Sequence, residues 1–232
     1  MTRRRMALTI YSHRGNVTGP GSVVENSVEA LAACIARGWG VETDLRRDTR
    51  GRLYVSHDEV PSPAASLLFS AFDAVWSAPR GRFAMNVKET GYEAQLLDAA
   101  RAVEGEHFFF DMELVEPPAH RGQSARRFRA ASPSVQLAAR VSDRGESIDT
   151  ACAAAHAQLV WLDEFDGPWC TREQLERLKR TGKQIIAVSP ELHGRGDVER
   201  RERWAFLLSA GVDGICTDFP AELESFARKV AA

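Results

Sequence analysis

The chain has 232 residues, of which 44% are hydrophobic and 27% are charged, and its formal net charge is −2. This length suits one large domain, and the composition is ordinary for a globular protein. The near-neutral charge predicts no nucleic-acid partner, because binding to a phosphate backbone needs a basic surface. The sequence also predicts a cytoplasmic protein, because no apolar run reaches the ~18 residues of a membrane span and the basic N-terminus lacks the longer apolar region of a secretory signal.

Short runs of β-forming residues alternate with stretches of helical periodicity along the whole chain. The predicted strands lie near Leu8–Ser12, Val41–Leu45, Phe83–Lys88, His107–Met112, Gln136–Val141, Leu159–Asp163, Gln184–Ser189 and Gly214–Thr217. The predicted helices lie near Ser27–Arg37, Leu67–Trp76, Tyr92–Val103, Ser124–Ala131, Ile148–His156, Arg172–Thr181, Val198–Ala210 and Ala221–Val230. Eight strands alternating with eight helices predict an α/β fold, a closed (β/α)₈ TIM barrel, with residues 1–232 as a single domain.

The residues at the predicted helix ends agree with this division. Asn26 is the predicted N-cap of the first helix, and Thr171 with Gln174 predicts a capping box. An open, doubly wound sheet is the alternative fold. That fold would favour a glycine-rich phosphate loop after the first strand, and no G-x-G-x-x-G pattern occurs there.

Polar residues end nearly every predicted strand, and in a barrel these ends meet at one mouth, where catalytic groups lie. His13 and Arg14 end the first strand. Glu42 and Asp44 are two residues apart on the second strand, so their side chains point to the same face. The later strands carry or are followed by Asn86, Lys88, Asp111, Glu113, Asp163, Glu164, Glu191, His193 and Asp218.

The Glu42 and Asp44 pair predicts a cation site. Two carboxylates that point into one mouth repel each other and are costly to bury unpaired. A divalent cation would relieve this repulsion, and oxygen ligands of this kind suit Mg²⁺ or Ca²⁺. Salt bridges to Arg14, Lys88 or Arg140 are the alternative explanation of the same pair.

Two histidines and two cations are predicted at the same mouth. His13 ends the first strand and His57 follows the short run Leu53–Ser56. Histidine titrates near neutral pH, so the two rings suit an acid–base pair. Arg14 offers a fork of donors that matches phosphate oxygens, and Lys88 adds a point charge. The combination predicts a site for a small phosphodiester.

These motifs resemble the signature of the glycerophosphodiester phosphodiesterase family. Residues 13–15, 25–27, 42–44 and 57–58 read H-R-G, E-N-S, E-T-D and H-D, in the order of the family's H-R-G, E-N-[ST], E-x-D and H-D motifs. Residues 211–220 are similar to the family's closing pattern, G-[VA]-D-G-[IV]-x-T-D-x-P. The resemblance extends from near residue 8 to residue 223.

The resemblance implies a role for each matching residue. His13 and His57 would be the acid–base pair, Glu42 and Asp44 would bind the metal ion, and Arg14 would hold the phosphate. In such enzymes a substrate hydroxyl next to the phosphate can attack it and release the alcohol through a cyclic phosphate, which water opens later.

The chain departs from the family pattern in two places. The family's E-[IV]-K on the third strand is N-V-K here, so Asn86 is expected as an uncharged metal ligand, with Glu113 as a carboxylate that could complete the shell. Only about two dozen residues separate His57 from the third strand, so the family's usual insertion is absent. A glycerol diester is therefore not the default substrate. The runs S-H-R-G-N-x-x-G-P, W-L-D-E-F-D-G-P and V-S-P-E-L-H-G-R resemble a smaller branch of phosphodiesterase-like proteins associated with surface polysaccharides, which implies a sugar-linked diester as the alternative to a glycerophosphodiester-like one. Further substrate-binding candidates are Glu113, Asp163, Glu164, Glu191 and His193.

Two alternatives remain open at this point. In a metal-independent lyase, Arg14 and Lys88 would replace the cation and the two histidines would cyclise the substrate. A barrel that binds a phosphorylated sugar without turning it over is the third possibility, although a pure binder has no need of two titrating groups. The sequence carries no signal for an oligomeric state.

Overall fold

The computed structural model describes residues 8–231, so the expectation for the basic N-terminal segment concerns residues that lie mostly outside this range. The strands are β1 Thr9–His13, β2 Gly40–Arg47, β3 Leu53–Val55, β4 Arg82–Val87, β5 Glu106–Phe110, β6 Ala138–Val141, β7 Leu159–Leu162, β8 Gln184–Val188 and β9 Gly214–Thr217. The helices are α1 Val28–Ala36, α2 Asp73–Trp76, α3 Glu93–Ala100, α4 Met112–Val115, α5 Gln123–Ala131, α6 Ile148–Ala153, α7 Arg172–Arg180, α8 Asp197–Ala210 and α9 Pro220–Ala231. No helix in this range is long and apolar enough to cross a membrane.

Eight parallel strands form the predicted barrel. Their order around the sheet is β5, β4, β2, β1, β9, β8, β7, β6, with β3 added antiparallel to β2. The two ends of this order meet where a parallel bridge joins Phe109 of β5 to Leu137, the residue before β6. The (β/α)₈ expectation is therefore confirmed, and the seam between β5 and β6 is its most sparsely bonded contact.

Alternation along each strand separates an inner from an outer core. Val41 and Leu45 of β2 pack outward with the helices, as does Met85 of β4. Ala84 of β4 points inward and packs with the aromatic residues that fill the barrel, Phe108 among them. Glu42 and Asp44 take the inward positions of β2 and are buried, as the two-residue period predicts.

The segment between β3 and β4 differs from its prediction. The expected helix at residues 67–76 is replaced by two 3₁₀ turns, Ala65–Leu67 and Phe69–Phe72, followed by the short α2. Trp76 stacks on Phe69 and Phe72 at ring-centroid distances of 4.8 and 5.6 Å, and its Nε1 donates to the Phe69 carbonyl. Aromatic packing has overridden the helical propensity of this segment.

The first helix begins one residue later than expected. Ser27, not Asn26, is the N-cap of α1, and its hydroxyl accepts a hydrogen bond from the Ala30 amide. Asn26 lies in the left-handed region at φ 57°, and its side chain forms hydrogen bonds with Thr43 and Asp44 of β2. The capping box of Thr171 and Gln174 is confirmed at α7.

Candidate active site

A cavity of about 260 Å³ opens at the carboxyl ends of the strands. Elements from all around the barrel contribute to its lining, from β1 to the turn after β8. The predicted site residues that line it are His13, Arg14, Glu42, His57, Asn86, Lys88, Asp163 and His193. Four further predicted residues are not part of this lining: Asp44, Glu113, Glu164 and Glu191.

The ring of His13 is held by the last strand of the barrel. Its Nδ1 lies 2.8 Å from Oδ1 of Asp218, at the end of β9, and its Nε2 lies 3.9 Å from Oε2 of Glu42. An ionised carboxylate only accepts, so Nδ1 carries the proton and Nε2 is the ring nitrogen left for chemistry. Burial by itself lowers the pKa of His13, but the Asp218 hydrogen bond and the nearby carboxylate charges outweigh it, so the pKa lies above its usual value.

Asp218 is itself fixed by neighbouring groups. Its Oδ1 also accepts a hydrogen bond from Nδ2 of Asn16, at 2.8 Å, and Asn16 donates to Glu25 as well. The Asp218 amide donates to Oε1 of Glu191, at 3.0 Å. The sequence placed Asp218 at a strand end without a role, because its partners His13 and Asn16 lie about two hundred residues away in the chain.

Replacing Asp218 with Asn should move the pH profile of any activity that depends on His13. The substitution removes the carboxylate charge, which strengthens the hydrogen bond and raises the pKa of His13, so that pKa falls. The limb of the kcat/KM profile set by His13 then moves to lower pH, whether the ring acts as acid or base. We also expect a ten- to hundredfold loss in kcat/KM (order of magnitude), as is common when a group that orients a functional imidazole is removed.

Asp166→Asn is the matched control for this measurement. Asp166 is a largely exposed carboxylate on the loop after β7, paired with Arg144. Its profile should overlay that of the unmodified protein. An Asp218→Asn profile with both limbs unmoved would show that the Asp218 contact does not govern the titration of His13.

Asp44 is fully buried and lies next to three side-chain nitrogen atoms. Nε of Arg14 lies 3.1 Å from its Oδ2, Nζ of Lys88 lies 3.0 Å from its Oδ1, and Nδ2 of Asn26 donates to Oδ2 at 2.9 Å. Burial by itself raises the pKa of Asp44, but the charges of Lys88 and Arg14 outweigh it and lower the pKa. The carboxylate therefore positions the two cations that line the cavity.

Three non-glycine residues among those described have positive φ, and all belong to this site: Arg14 at 51°, Asn26 at 57° and Asp111 at 68°. Such backbone costs of order 1–3 kcal/mol per residue and clusters at functional sites. Gly15 follows Arg14 at φ 85°, and a Cβ there would lie 2.7 Å from Cβ of Ala30. The glycine of the H-R-G motif is thus required by close packing against α1.

Glu42 and Asn86 face each other across β2 and β4. Nδ2 of Asn86 lies 3.4 Å from Oε1 of Glu42 and 3.2 Å from Oδ2 of Asp111, so one amide group donates to two carboxylates. Burial, and next the charge of Asp44, raise the pKa of Glu42 to about 7. Oε2 of Glu42 and Oδ1 of Asn86 are buried without a hydrogen-bond partner among the described residues.

A β-hairpin brings His57 to the mouth. The long strand β2 extends beyond the mouth and β3 pairs antiparallel to it, so the chain runs back and the Ser56 amide donates to the Asp44 carbonyl. Nε of Arg46 donates to the His57 carbonyl at 2.9 Å. The side chain of His57 is 46% exposed and its Nδ1 lies 2.8 Å from Oδ1 of Asp58. The antiparallel strand that places this histidine was not predicted.

Two of the predicted substrate-binding residues, Glu113 and Glu191, form hydrogen bonds within the protein and do not line the cavity. Oε1 of Glu113, on α4, accepts a hydrogen bond from the Arg140 amide, and burial raises the pKa of Glu113 to about 7. Glu191 accepts from Ser189, Thr217 and the Asp218 amide, which ties the turn after β8 to the end of β9. Asp111, rather than Glu113, is the β5 carboxylate that lines the cavity.

The side of the cavity formed by β6, β7 and the turn after β8 is called here the second wall. Arg140 is buried and pairs with Asp111 and Asp163. Nε2 of His193 lies 2.5 Å from Oδ1 of Asp163. The aromatic members of the second wall are Trp161 and Phe165, and the His193 and Phe165 ring centroids lie 4.5 Å apart. Burial by itself raises the pKa of Asp163, but the contacts with His193 and Arg140 lower it.

The chain matches no protein-family model and no curated protein. Among solved structures, it is similar to a Galdieria sulphuraria protein provisionally described as a glycerophosphodiester phosphodiesterase, with 16% identity over 97% of this chain and 100% of that one, and a TM-score of 0.76. It is similar to the glycerophosphodiester phosphodiesterase of Agrobacterium tumefaciens, with 17% identity over 96% and 100% of the two chains and a TM-score of 0.68. A glycerophosphoryl diester phosphodiesterase from Parabacteroides distasonis shares 18% identity over 98% and 88% of the two chains, with a TM-score of 0.70.

Barrels with other names match less well. The tryptophan synthase of M. tuberculosis has a TM-score of 0.56 with 15% identity, over 97% of this chain and 91% of that one. A barrel fold supports many unrelated reactions, so activity has to be argued from the side chains at the mouth. At these levels of identity the comparisons show the fold: the chain has the (β/α)₈ barrel of the solved glycerophosphodiester phosphodiesterases.

Proposed function

We propose that this protein is a phosphodiesterase that cleaves a small, glycerophosphodiester-like or sugar-linked diester by acid–base catalysis with His13 and His57. One observation carries the proposal: a single cavity is lined by both histidines, by the cations Arg14 and Lys88, and by Glu42. The likeness to solved phosphodiesterases supports it. We propose in addition that the protein is cytoplasmic, as the sequence predicts.

Arg14 and Lys88 would bind the phosphate group. Both side chains are partly exposed at the cavity and are anchored from behind by the buried Asp44. Anchoring fixes the cations before substrate arrives, so little conformational entropy is lost on binding. The Asn26 amide donates a hydrogen bond to Asp44 and accepts one from the Thr43 hydroxyl. The asparagine of the E-N-S motif therefore positions Asp44.

The two histidines would move the protons. With a diester of a vicinal diol, the free hydroxyl next to the ester attacks phosphorus while one imidazole takes its proton. The bond from phosphorus to the second alcohol breaks, and the other imidazole gives that alcohol a proton. The products are a cyclic phosphate and a free alcohol, and water opens the ring with the proton roles reversed.

The residues at the mouth fit the divalent cation that the family resemblance implies. Oε2 of Glu42 and Oδ1 of Asn86 are buried oxygens without a hydrogen-bond partner among residues 8–231, and Oδ1 of Asp44 lies 3.0 Å from Nζ of Lys88, which a cation would have to share or displace. Carboxylate and amide oxygens are hard ligands that suit Mg²⁺ or Ca²⁺. A bound cation would neutralise charge that develops on the phosphate oxygens.

One arrangement also favours the metal-independent lyase as a second candidate. Asp44 already has two cationic partners, and within the described residues no group of three His, Cys, Asp or Glu side chains is arranged to hold a metal ion. In the lyase, Arg14 and Lys88 would supply all of the positive charge at the phosphate.

A product assay in two buffers tests the proposal. The protein is incubated with glycerophosphoglycerol and with bis(p-nitrophenyl) phosphate, in Mg²⁺ or Ca²⁺ and in chelator, and products are followed by phosphorus NMR. We expect the glycerol diester to be cleaved with a cyclic phosphate as intermediate, with activity lost in chelator. Full activity in chelator favours the lyase instead. No cleavage of any diester in any buffer removes the proposed function.

Replacing Asn86 with Asp tests whether this residue faces a metal ion. An aspartate cannot donate to Glu42 and Asp111, so in chelator we expect a loss of about 2 kcal/mol in unfolding free energy, or ~4–8 °C in Tm. Mg²⁺ should then raise the Tm of Asn86→Asp more than that of the unmodified protein, because hard cations prefer carboxylate to amide ligands.

Asn86→Ala is the matched control, since it removes the same donors without adding charge. Its Tm should fall without gaining any response to Mg²⁺ or Ca²⁺. Equal cation-induced Tm shifts in Asn86→Asp and the unmodified protein would mean that Asn86 does not face the ion.

A further inference from the structure

The second wall is built differently from the side of the cavity that would hold the phosphate. Its polar members come from β6, β7 and the turn after β8, on the far side of the strand order from β2 and β4. Among the described residues, the second wall is connected to Glu42 by hydrogen bonds that run from Asp111 through the Asn86 amide. A diester has two alcohols on opposite sides of its phosphate, so this wall faces the part of the substrate that the phosphate-binding residues leave free.

The carboxylates of the second wall are occupied. Arg140, 2% exposed, pairs with Asp111 and with Asp163. The second oxygen of Asp163 accepts from His193 and from the Glu164 amide. A cationic head group that entered here would find no free carboxylate, and it would lie beside a buried guanidinium.

The aromatic rings of this wall are covered as well. Two guanidinium groups lie over the Phe165 ring. The Cζ atoms of Arg140 and Arg144 are 5.1 and 4.4 Å from the ring centroid. Trp161 packs against Phe110 with ring centroids 4.0 Å apart. An aromatic cage for a quaternary ammonium needs ring faces open to the cation. Here cations of the protein already occupy the Phe165 face.

His193 is the polar group of the second wall that remains available. Its side chain is 16% exposed and lines the cavity, and its Nε2 contacts the carboxylate of Asp163. Nε2 is occupied by Asp163, whereas Nδ1 of the same ring has no hydrogen-bond partner among residues 8–231. A hydroxyl can donate a hydrogen bond to this nitrogen or accept one from it, whereas a quaternary ammonium can do neither.

We propose that the second wall binds the leaving alcohol of the diester and, through His193, selects an uncharged, hydroxyl-bearing alcohol over one with a quaternary ammonium group. The proposal rests on the proposed function and names the substrate class of the same site. Asp163 acts as a positioning residue that fixes the His193 ring, and Arg140 fixes Asp163.

Three esters that share the glycerophosphate half and differ in the leaving alcohol test this selectivity. Glycerophosphoglycerol and glycerophosphoinositol carry hydroxyls on the leaving side, and glycerophosphocholine carries a quaternary ammonium. We expect kcat/KM for the first two to exceed that for the choline ester at least about tenfold, because a polar group left unpaired in the site lowers transition-state binding. Equal or faster cleavage of the choline ester overturns the inference while leaving the phosphodiesterase proposal intact.

The variants His193→Ala and His193→Gln test whether His193 is the residue that causes this substrate preference. In His193→Ala the preference should fall to within about threefold, through loss of kcat/KM on the hydroxyl-bearing esters. His193→Gln should retain part of it, since an amide can donate to Asp163 and accept from a hydroxyl. A ratio between substrates does not depend on the fraction of molecules that fold, so a purely structural effect leaves it unchanged.

His120→Ala, at an exposed histidine outside the cavity, is the matched control and should keep the full preference. An unchanged preference in His193→Ala would exclude His193 as the selecting residue and overturn the proposal. Cleavage of none of the three esters, with other diesters also untouched, removes the proposed function and this inference together.

Discussion

Replacing His13 with Ala is expected to lower turnover of a phosphodiester by about 10²–10⁴-fold, which corresponds to roughly 3–5 kcal/mol of transition-state stabilisation. His13 is the better oriented of the two proposed acid–base residues, because Asp218 fixes its Nδ1 while Nε2 faces Glu42. Steady-state kinetics on glycerophosphoglycerol, with Tm measured on the same preparations, separate lost chemistry from lost folding.

The same kinetic measurements should be made on His57→Ala, with His120→Ala as the control. Within residues 8–231, the His57 ring has one hydrogen-bond partner, the exposed Asp58, so its loss should fall at the lower end of the same range. His120→Ala should be fully active. Normal turnover in either cavity variant would remove that histidine from the mechanism, and normal turnover in both would require a different acid–base pair.

Replacing Arg140 with Met should destabilise the protein by about 3–5 kcal/mol, or ~10 °C in Tm. The substitution leaves Asp111 and Asp163 buried without their shared cation. It also acts at the sparsely bonded seam of the barrel, where the β5 end and β6 are tied by the pair of Arg140 and Asp111. Thermal unfolding followed by circular dichroism measures the effect.

Arg144→Met is the matched control for the Arg140 prediction. Arg144 pairs with the exposed Asp166, and exposed pairs contribute about 0–1 kcal/mol. Adding Asp111→Asn to Arg140→Met should recover part of the loss, because it removes one unpaired buried charge. Similar Tm values for Arg140→Met and Arg144→Met would show that the buried ion pairs do not hold the seam.

The sequence alone determined the order of the eight barrel strands and which residues of β2 face inward. The two-residue period placed Glu42 and Asp44 on the inward face of β2, and the structure buries both there. Strand periodicity is local, so it can be read from consecutive residues. The motif resemblance likewise identified His13, Arg14 and His57, which line one cavity.

Only the tertiary structure decided which of these polar residues meet. Glu113 and Glu191 are also acidic and near strand ends, yet one is bound by a backbone amide of β6 and the other ties the turn after β8 to β9. The partner of His13 is Asp218, at the other end of the chain. Barrel closure brings such distant strand ends together, and no local pattern encodes which pairs become neighbours. The sequence therefore determined the chemical groups at the mouth, and long-range packing decided which of them are free to act.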